Sequence, residues 1–211
     1  MYIFFIGLFL VALQVTCDGA PERSFPVPQR PADVSQEEKH IEKRASAPNP
    51  VPQVDEVACL QAHNDKRTLH EWTSQLVWDA TLAQHAKEWA DHLASIGTLQ
   101  HATGTGEGEN LYKATASAVK SCADAVEGWY GEVSYYPFGN PPNSLSDVSA
   151  PIGHFTQVVW KAATHVGVGL KKIVNSDGYT ETYVVARYSP PGNVWGQFAD
   201  NVCAKSCWTR A

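Results

Sequence analysis

The sequence predicts an α+β domain, because helical patterns come first along the chain and a pair of strand patterns comes last. Apolar residues recur at helical spacing most clearly between Asp79 and Gly97. Nearer the C-terminus, two segments with the residue pattern of β-strands flank Asp177-Gly178, a dipeptide typical of tight hairpin turns. Helices followed by an antiparallel hairpin are the pattern of an α+β fold.

The N-terminal region carries targeting and processing signals rather than a core. Residues 1–20 hold an apolar run too short to span a bilayer, followed by small residues, which predicts a signal peptide and a secreted, extracellular protein without a transmembrane anchor. Residues 21–53 are rich in Pro, Glu, Arg, Ser and Ala, and we expect a disordered propeptide or linker there. Its dibasic pair predicts a cleavage after Arg44. The folded domain is expected over residues 54–207.

The charge of the chain argues against two classes of partner. Its 16 basic and 22 acidic residues give a formal net charge of −6. An acidic protein is poorly suited to nucleic acid and to simple adsorption on anionic membranes.

Cysteine usage predicts disulfides. Cys17 leaves with the signal peptide, and four cysteines remain, an even number that predicts two disulfides in an oxidising compartment. Three connectivities are possible, and we favour Cys59–Cys122 with Cys203–Cys207, because the second pair is close along the chain. A four-cysteine zinc site is the alternative, and the absence of Cys-x-x-Cys spacing disfavours it.

Three longer helices are predicted. The first runs from Val57 to about His70, with apolar Val57, Leu60 and Leu69 and a polar side that carries Asn64 and Arg67. The second is capped by Asp79 and stopped by Gly97, and its apolar face holds Leu82, Ala86, Trp89, Ala90 and Leu93. The third covers about 116–134, with one side formed by Val119, Cys122, Ala123, Val126, Trp129 and Tyr130.

The rest of the domain is predicted to be a loop, a short helix and two strands. Residues 135–143 are rich in helix breakers and form a loop. The octapeptide Gly153–Trp160 is expected to form a short buried helix that ends before Lys161. Val166–Leu170 alternates apolar residues with glycine, and Tyr179–Tyr188 is dense in β-branched and aromatic residues, so both are predicted strands.

Two histidines and two glutamates form a candidate metal site. His154 lies among apolar residues, where an imidazole without partners costs about 1–3 kcal/mol for each unmet polar atom. His101 and Glu109 flank a glycine-rich stretch whose backbone can bend sharply, and Glu132 lies near the end of the third helix. Two imidazoles with up to two carboxylates suit zinc or another divalent cation. A metal-free polar network is the alternative.

Several segments resemble the CAP superfamily of cysteine-rich secretory, antigen 5 and pathogenesis-related class 1 proteins. The resemblance is carried, in the family's order, by Gly153–Trp160, Tyr183–Asn193, Ala62–Arg67 and Gly108–Leu111, and it covers about residues 56–203. The chain is most similar to the Golgi-associated plant pathogenesis-related group of the family, although it starts with a secretory signal.

The resemblance implies a three-layer α-β-α sandwich, the CAP or SCP domain, with a central antiparallel sheet. It also implies that a tetrad lines one shared cleft, in which the two histidines hold a divalent metal and the glutamates bind it directly or through water. The tetrad residues are His101, Glu109, Glu132 and His154.

Other histidines, asparagines and tryptophans are given structural roles. His63 and Asn64 are expected to be a structural hydrogen-bonding pair. His85 and His92 are expected to be solvated, and His165 to lie on a rim. Asn193 is expected to anchor a turn, and core positions are expected for the tryptophans at 72, 78, 89, 129, 160 and 195.

Three functions fit these observations. The first is a lipid-binding, defence-type extracellular module, since the resemblance includes sterol- and fatty-acid-binding members. Residues 91–100 lack the aromatic, cysteine-containing loop of the sterol binders, which argues against sterol binding by that loop. A groove for a fatty acid remains the alternative lipid site. The second is a zinc-dependent hydrolase or protease with Glu109 or Glu132 as its base. The third is a venom-allergen-like module for an extracellular protein partner.

Overall fold

A computed structural model of the chain describes residues 54–205. The predicted signal peptide, the propeptide with its cleavage after Arg44, and Cys207 all lie outside this range. The elements along the chain are α1 (Glu56–Arg67), β1 (Val77–Trp78), α2 (Ala80–Ile96), β2 (Gly108–Ala116), α3 (Cys122–Tyr130), α4 (Gly153–Val158), β3 (His165–Val174), β4 (Thr180–Ser189) and α5 (Phe198–Asn201). Short 3₁₀ turns cover Gly131–Tyr135 and Leu145–Asp147.

The sheet has the order β1-β3-β4-β2. Its three long strands are antiparallel, as predicted, and the two-residue β1 adds a parallel edge beside β3. The sheet is therefore mixed. The hairpin between β3 and β4 turns at residues 175–178, where Gly178 takes a positive φ of 81° and its backbone N–H donates to the carbonyl of Asn175.

Alternate residues of β4 face two different cores, and this makes the domain a sandwich. Tyr183 and Val185 pack with Ala86, Ala90 and Leu93 of α2. Val184, Ala186 and Tyr188 point to the opposite face and pack in the larger core, which also holds residues of α1, α3, α4 and α5. Since both faces of β4 are covered, its residues from Thr182 to Tyr188 are all buried rather than alternately buried and exposed.

The second helix matches its local sequence signals. Asp79 accepts hydrogen bonds from the backbone N–H groups of Thr81 and Leu82, and Gly97 ends the helix with φ 74°. All five residues of its predicted apolar face are buried or partly buried.

The prediction for the faces of the first helix is wrong. Arg67 and Asn64, on the predicted polar side, are 0% and 7% exposed, whereas Val57, on the predicted apolar side, is 80% exposed. Asn64 donates to the carbonyl of Leu76 and accepts from its backbone N–H, so its side chain ties α1 to the chain before β1. The helix buries its polar face because the neighbouring loops offer backbone groups that need partners. It also ends at Arg67, three residues before the predicted end.

The start of the third helix was also predicted wrongly. Residues 108–116 form β2, and α3 begins only at Cys122, after a capping box in which Ser121 and Asp124 bond each other's backbone N–H groups. Val119, assigned to the helix face, is 57% exposed in the connection. Pairing of β2 along all of its length with β4 outweighs the weak strand propensity of its Glu, Lys and Ala residues.

The expected disulfide between Cys59 and Cys122 is present and joins α1 to α3. No described residue bonds Cys203, and its proposed bond to Cys207 stays a prediction. Trp129 and Trp160 are buried in the core, but the core prediction fails for Trp72 and Trp195, which are 79% and 76% exposed. Among the described residues, no helix is both long and apolar enough to cross a bilayer.

Candidate functional site

His101 and Glu109 form one half of the predicted site. His101 follows α2 in a loop, and Glu109 is the second residue of β2. The Oε1 atom of Glu109 accepts from Nδ1 of His101 at 2.5 Å and from the backbone N–H of Ala102 at 3.2 Å. The carboxylate is 6% exposed and the imidazole 65%, so a buried acid holds a ring that faces solvent. The hydrogen bond to Glu109 is the main reason why the pKa of His101 is raised above its ordinary value.

Glu132 and His154 form the other half. Glu132 lies in the 3₁₀ turn after α3, and its Oε1 atom accepts from Nδ1 of His154 at 2.6 Å. Its Oε2 atom accepts from the backbone N–H groups of His154 at 2.9 Å and Phe155 at 3.1 Å. Glu132 thereby caps the N-terminus of α4, for which Ile152 provides no side-chain cap. Burial alone would raise the pKa of Glu132, but the hydrogen bonds from His154 and from these two amides lower it.

Residues next to Glu109 on β2 link the two halves. Asn110 donates from Nδ2 to the backbone carbonyl of His154 at 3.0 Å. Trp129 donates from Nε1 to the carbonyl of Leu111, and its ring stacks against His154 with 6.5 Å between ring centroids. Within the described range, no three of the four predicted ligands have donor atoms within 4.8 Å of one another. The structure therefore makes two separate His–Glu pairs, and a shared metal stays a prediction.

The contacts of both pairs favour histidine ligands and orienting glutamates. In each pair the carboxylate occupies Nδ1 and leaves Nε2 free, which is the arrangement of carboxylate–histidine–metal sites. The tautomer with the proton on Nδ1 follows from these partners. A general base needs a carboxylate oxygen within reach of the substrate proton. Both oxygens of Glu132 are already engaged, and so is the Oε1 atom of Glu109. The catalytic role suggested for Glu109 and Glu132 thus gains no support from their contacts.

A second group of potential ligands is buried between α1 and α3. Cys59, His63 and Cys122 have donor atoms within 4.8 Å of one another, so these side chains are capable of holding a metal. The two sulfurs are bonded to each other, however, and could act as thiolate ligands only after reduction. His63 is bonded through Nδ1 to the carbonyl of Cys59 and through Nε2 to the hydroxyl of Tyr188. Burial lowers its pKa to about 4, so it stays neutral in a structural role.

Two features beside the first pair were not predicted from the sequence: a third His–Glu pair and an arginine. His85 was expected to be solvated, yet its Nδ1 atom lies 2.7 Å from Oε1 of Glu107, with the side chain 49% exposed. Arg187 lies opposite Glu109 in the register of β2 and β4, with NH2 3.0 Å from Oε2 of Glu109. A cavity of about 460 Å³ next to them is lined by His85, Glu88, Trp89, Ala102, Thr103, Thr105, Glu107 and Arg187. The position of Arg187 next to Glu109 follows only from the register of β2 and β4, and it could not be predicted because β2 was not predicted.

The remaining predicted residues have the following places. Asn193, with φ 57°, donates from Nδ2 to the carbonyl of Gly153 and accepts from the hydroxyl of Thr156, so it anchors the chain after β4 to α4. His92 is exposed and stacks on Trp89, and His165 is the exposed first residue of β3.

Known proteins resemble this chain in sequence. Residues 60–188 match the family model described as "CAP: Cysteine-rich secretory protein family". Protein PRY2 of Saccharomyces cerevisiae is 43% identical over 146 residues, which cover 68% of this chain and 39% of that protein. Secreted protein PRY1 of Candida albicans is 39% identical over 143 residues, covering 68% and 31%. The human Golgi-associated plant pathogenesis-related protein 1 is 36% identical over 148 residues, covering 68% and 88%.

Solved structures support the fold. The crystal structure of NaASP2 with Zn²⁺ aligns with a TM-score of 0.57 at 21% identity, covering 76% of this chain and 90% of that one. BmVAL-1 aligns with a TM-score of 0.57 at 22% identity, covering 75% and 89%. The matched segment spans 39% and 31% of the lengths of the two fungal relatives. By sequence and by fold, the chain belongs to the CAP family of cysteine-rich secretory proteins.

Proposed function

We propose that this protein is an extracellular CAP-domain module that holds a divalent cation such as zinc through Nε2 of His101 and of His154 and binds a lipid. The observation that carries the cation site is the Nδ1–carboxylate contact in both pairs, at 2.5 and 2.6 Å. Such contacts raise the basicity of the ligating nitrogen and fix the ring. Zinc accepts neutral imidazole and completes its coordination with water. The presence of Zn²⁺ in the NaASP2 crystals and the name of secreted protein PRY1 support the proposal.

The cation site is tested by titrating the purified protein with zinc chloride at pH 7.5 in a calorimeter. A pH above the ordinary pKa of histidine is chosen because the raised pKa of His101 makes the proton a stronger competitor of the metal. We expect H101A and H154A each to lower affinity by at least about tenfold, and E132Q to lower it by about 10–100-fold. H92A is the matched control, because His92 is exposed and belongs to neither pair. Wild-type affinity in H101A and H154A would place the ion elsewhere.

The lipid ligand rests on the resemblance to sterol- and fatty-acid-binding members of the family. We expect saturable uptake of radiolabelled palmitate by the purified protein, competed by unlabelled palmitate, with weaker uptake of cholesterol because residues 91–100 lack the sterol binders' loop. The cavity of about 460 Å³ is a poor place for an acyl chain, since Glu107 and Arg187 line it. Substitutions at the cation site should leave uptake unchanged. Absence of saturable uptake of both lipids would remove the lipid from the proposal.

The other two interpretations are not proposed. The contacts of Glu132 give hydrolysis no support, because both of its oxygens already accept hydrogen bonds. A protein partner would be consistent with the exposed Trp72 and Trp195, but exposed aromatic side chains do not by themselves identify one.

A further inference from the structure

Arg187 is a buried cation between two carboxylates. It lies on β4, and its side chain is 3% exposed. Its NH2 atom is 3.0 Å from Oε2 of Glu109, its NH1 atom is 3.7 Å from Oε2 of Glu107, and NH1 also donates to the hydroxyl of Thr105 at 3.3 Å. A buried guanidinium is tolerated only where such partners offset the loss of hydration, so its place is set by these acids.

The contact with Arg187 fixes the direction of the Glu109 carboxylate. One oxygen faces the guanidinium, and the other therefore points to Nδ1 of His101 and to the backbone N–H of Ala102. The contact of Oε2 with the guanidinium is an ion pair rather than an aligned hydrogen bond. Rotation of the carboxylate about its last bond would lengthen this ion pair and break the hydrogen bond to His101. The two strands set this geometry, because Glu109 and Arg187 are directly opposed in the ladder.

His101 depends on Glu109 for its orientation. Its side chain is 65% exposed and lies in a loop, where little packing restrains the ring. The contact at 2.5 Å to Glu109 is the one side-chain hydrogen bond that it makes to the described residues. His154, by contrast, is held by Glu132 and stacks on Trp129.

We propose that Arg187 is a positioning residue for the cation site: it aims Glu109, which in turn holds the His101 ring with Nε2 free. This inference rests on the proposed function in one respect: substitution of Arg187 can lower cation affinity only if the protein binds the cation. The orientation of the ring is a property of the protein without an ion.

Substitution of Arg187 gives two readouts. In R187M, nitrogen-15 NMR of the imidazoles in zinc-free protein should show His101 losing its Nδ1–H tautomer. His154, held by Glu132, should keep the tautomer that it has in the wild type. Zinc affinity should fall by about 10–100-fold, the usual cost of losing an outer partner of a metal ligand. R187K keeps the charge but not the planar fork, so we expect a smaller loss of the tautomer and of affinity.

Lys113 offers a matched control. It lies on β2 and pairs with Glu181 at 3.1 Å, so K113M removes the same charge from the same sheet without touching Glu109. We expect wild-type tautomers and zinc affinity in K113M. If R187M does not fold, R187K carries the test, because it retains a cation between the two acids.

The outcomes separate this inference from the proposed function. An unchanged His101 tautomer in both Arg187 variants would overturn the inference. If R187M loses the His101 tautomer but the wild-type protein binds no zinc, the positioning role would be upheld and the cation removed from the proposed function. An equal fall of zinc affinity in R187M and K113M would assign the effect to net charge and overturn the inference.

Discussion

R67M is expected to destabilise the domain by about 3 kcal/mol or more, since four carbonyls, three of them buried, would lose a donor. The carbonyl of Trp160 would keep a second donor, the backbone N–H of Ala163. Each orphaned group costs about 1–3 kcal/mol, against a typical total stability of about 5–15 kcal/mol. Arg67 is fully buried, and burial lowers its pKa to about 10, which still leaves it charged at neutral pH. Its guanidinium donates to the carbonyls of Ser74 at 2.7 Å, Val158 at 3.0 Å, Trp160 at 2.9 Å and Ala163 at 3.0 Å.

Urea denaturation of the purified protein, followed by tryptophan fluorescence, measures the change. K66M is the matched control, because Lys66 is the neighbouring residue of α1 and pairs with an exposed Glu127 at 2.6 Å. A surface ion pair of this kind contributes about 0–1 kcal/mol. R67M within about 1 kcal/mol of wild type would show that the four carbonyls find other partners, and would contradict the role given to Arg67.

Arg67 also shows where sequence patterns mislead. The first helix is a helix as predicted, but its polar face is the buried one. Apolar periodicity identifies the buried face only when apolar side chains do the packing. Here two distant parts of the chain, the loop before β1 and the segment from the end of α4 to Ala163, present carbonyls to one guanidinium. No local sequence pattern predicts this contact.

Local signals succeeded where the structure is local. Asp79 and Gly97 mark the two ends of α2 correctly because a cap acts within one turn of its own helix. Asp177-Gly178 marks the hairpin correctly because a tight turn is likewise formed by adjacent residues. β2 was missed because its stability comes from pairing with β4, about seventy residues later. Missing β2 also hid Arg187, whose relation to Glu109 exists only in the register of those two strands.

The candidate site was likewise only partly predictable. Residue type and sequence context identified the four residues, the family resemblance implied that they share one cleft, and the structure sorts them into two pairs. Sequence spacing could not show that Glu132 caps α4 through two backbone amides, because the two segments are 22 residues apart. That contact changes the chemistry expected of Glu132, since an acid holding three donors is an anchor rather than a base.

G167A is expected to destabilise the domain by about 3 kcal/mol or more, at or above the top of the usual range for overpacking. The alternation of glycine with valine on β3 exists because α2 lies directly against the strand backbone. A Cβ at Gly167 would be within 3 Å of the backbone of α2 and its N-cap, closest to the nitrogen of Ala83. Backbone atoms cannot move aside by a change of rotamer, so the helix would have to lift from the sheet. A Cβ at Gly169 would meet α2 in the same way, closest to the backbone nitrogen of Lys87, and G169A should behave alike.

G128A separates this clash from any general effect of adding a methyl group. Gly128 lies inside α3, where its Cβ would meet only the Tyr112 ring at 3.5 Å, an ordinary contact. Alanine in a helix interior is favoured over glycine by about 0.5–1 kcal/mol, so G128A should be neutral or stabilising in the same denaturation experiment. If G167A unfolded at the same urea concentration as G128A, the close approach of α2 to β3 could not be what requires glycine. That result would mean that α2 can move away from β3 without loss of stability.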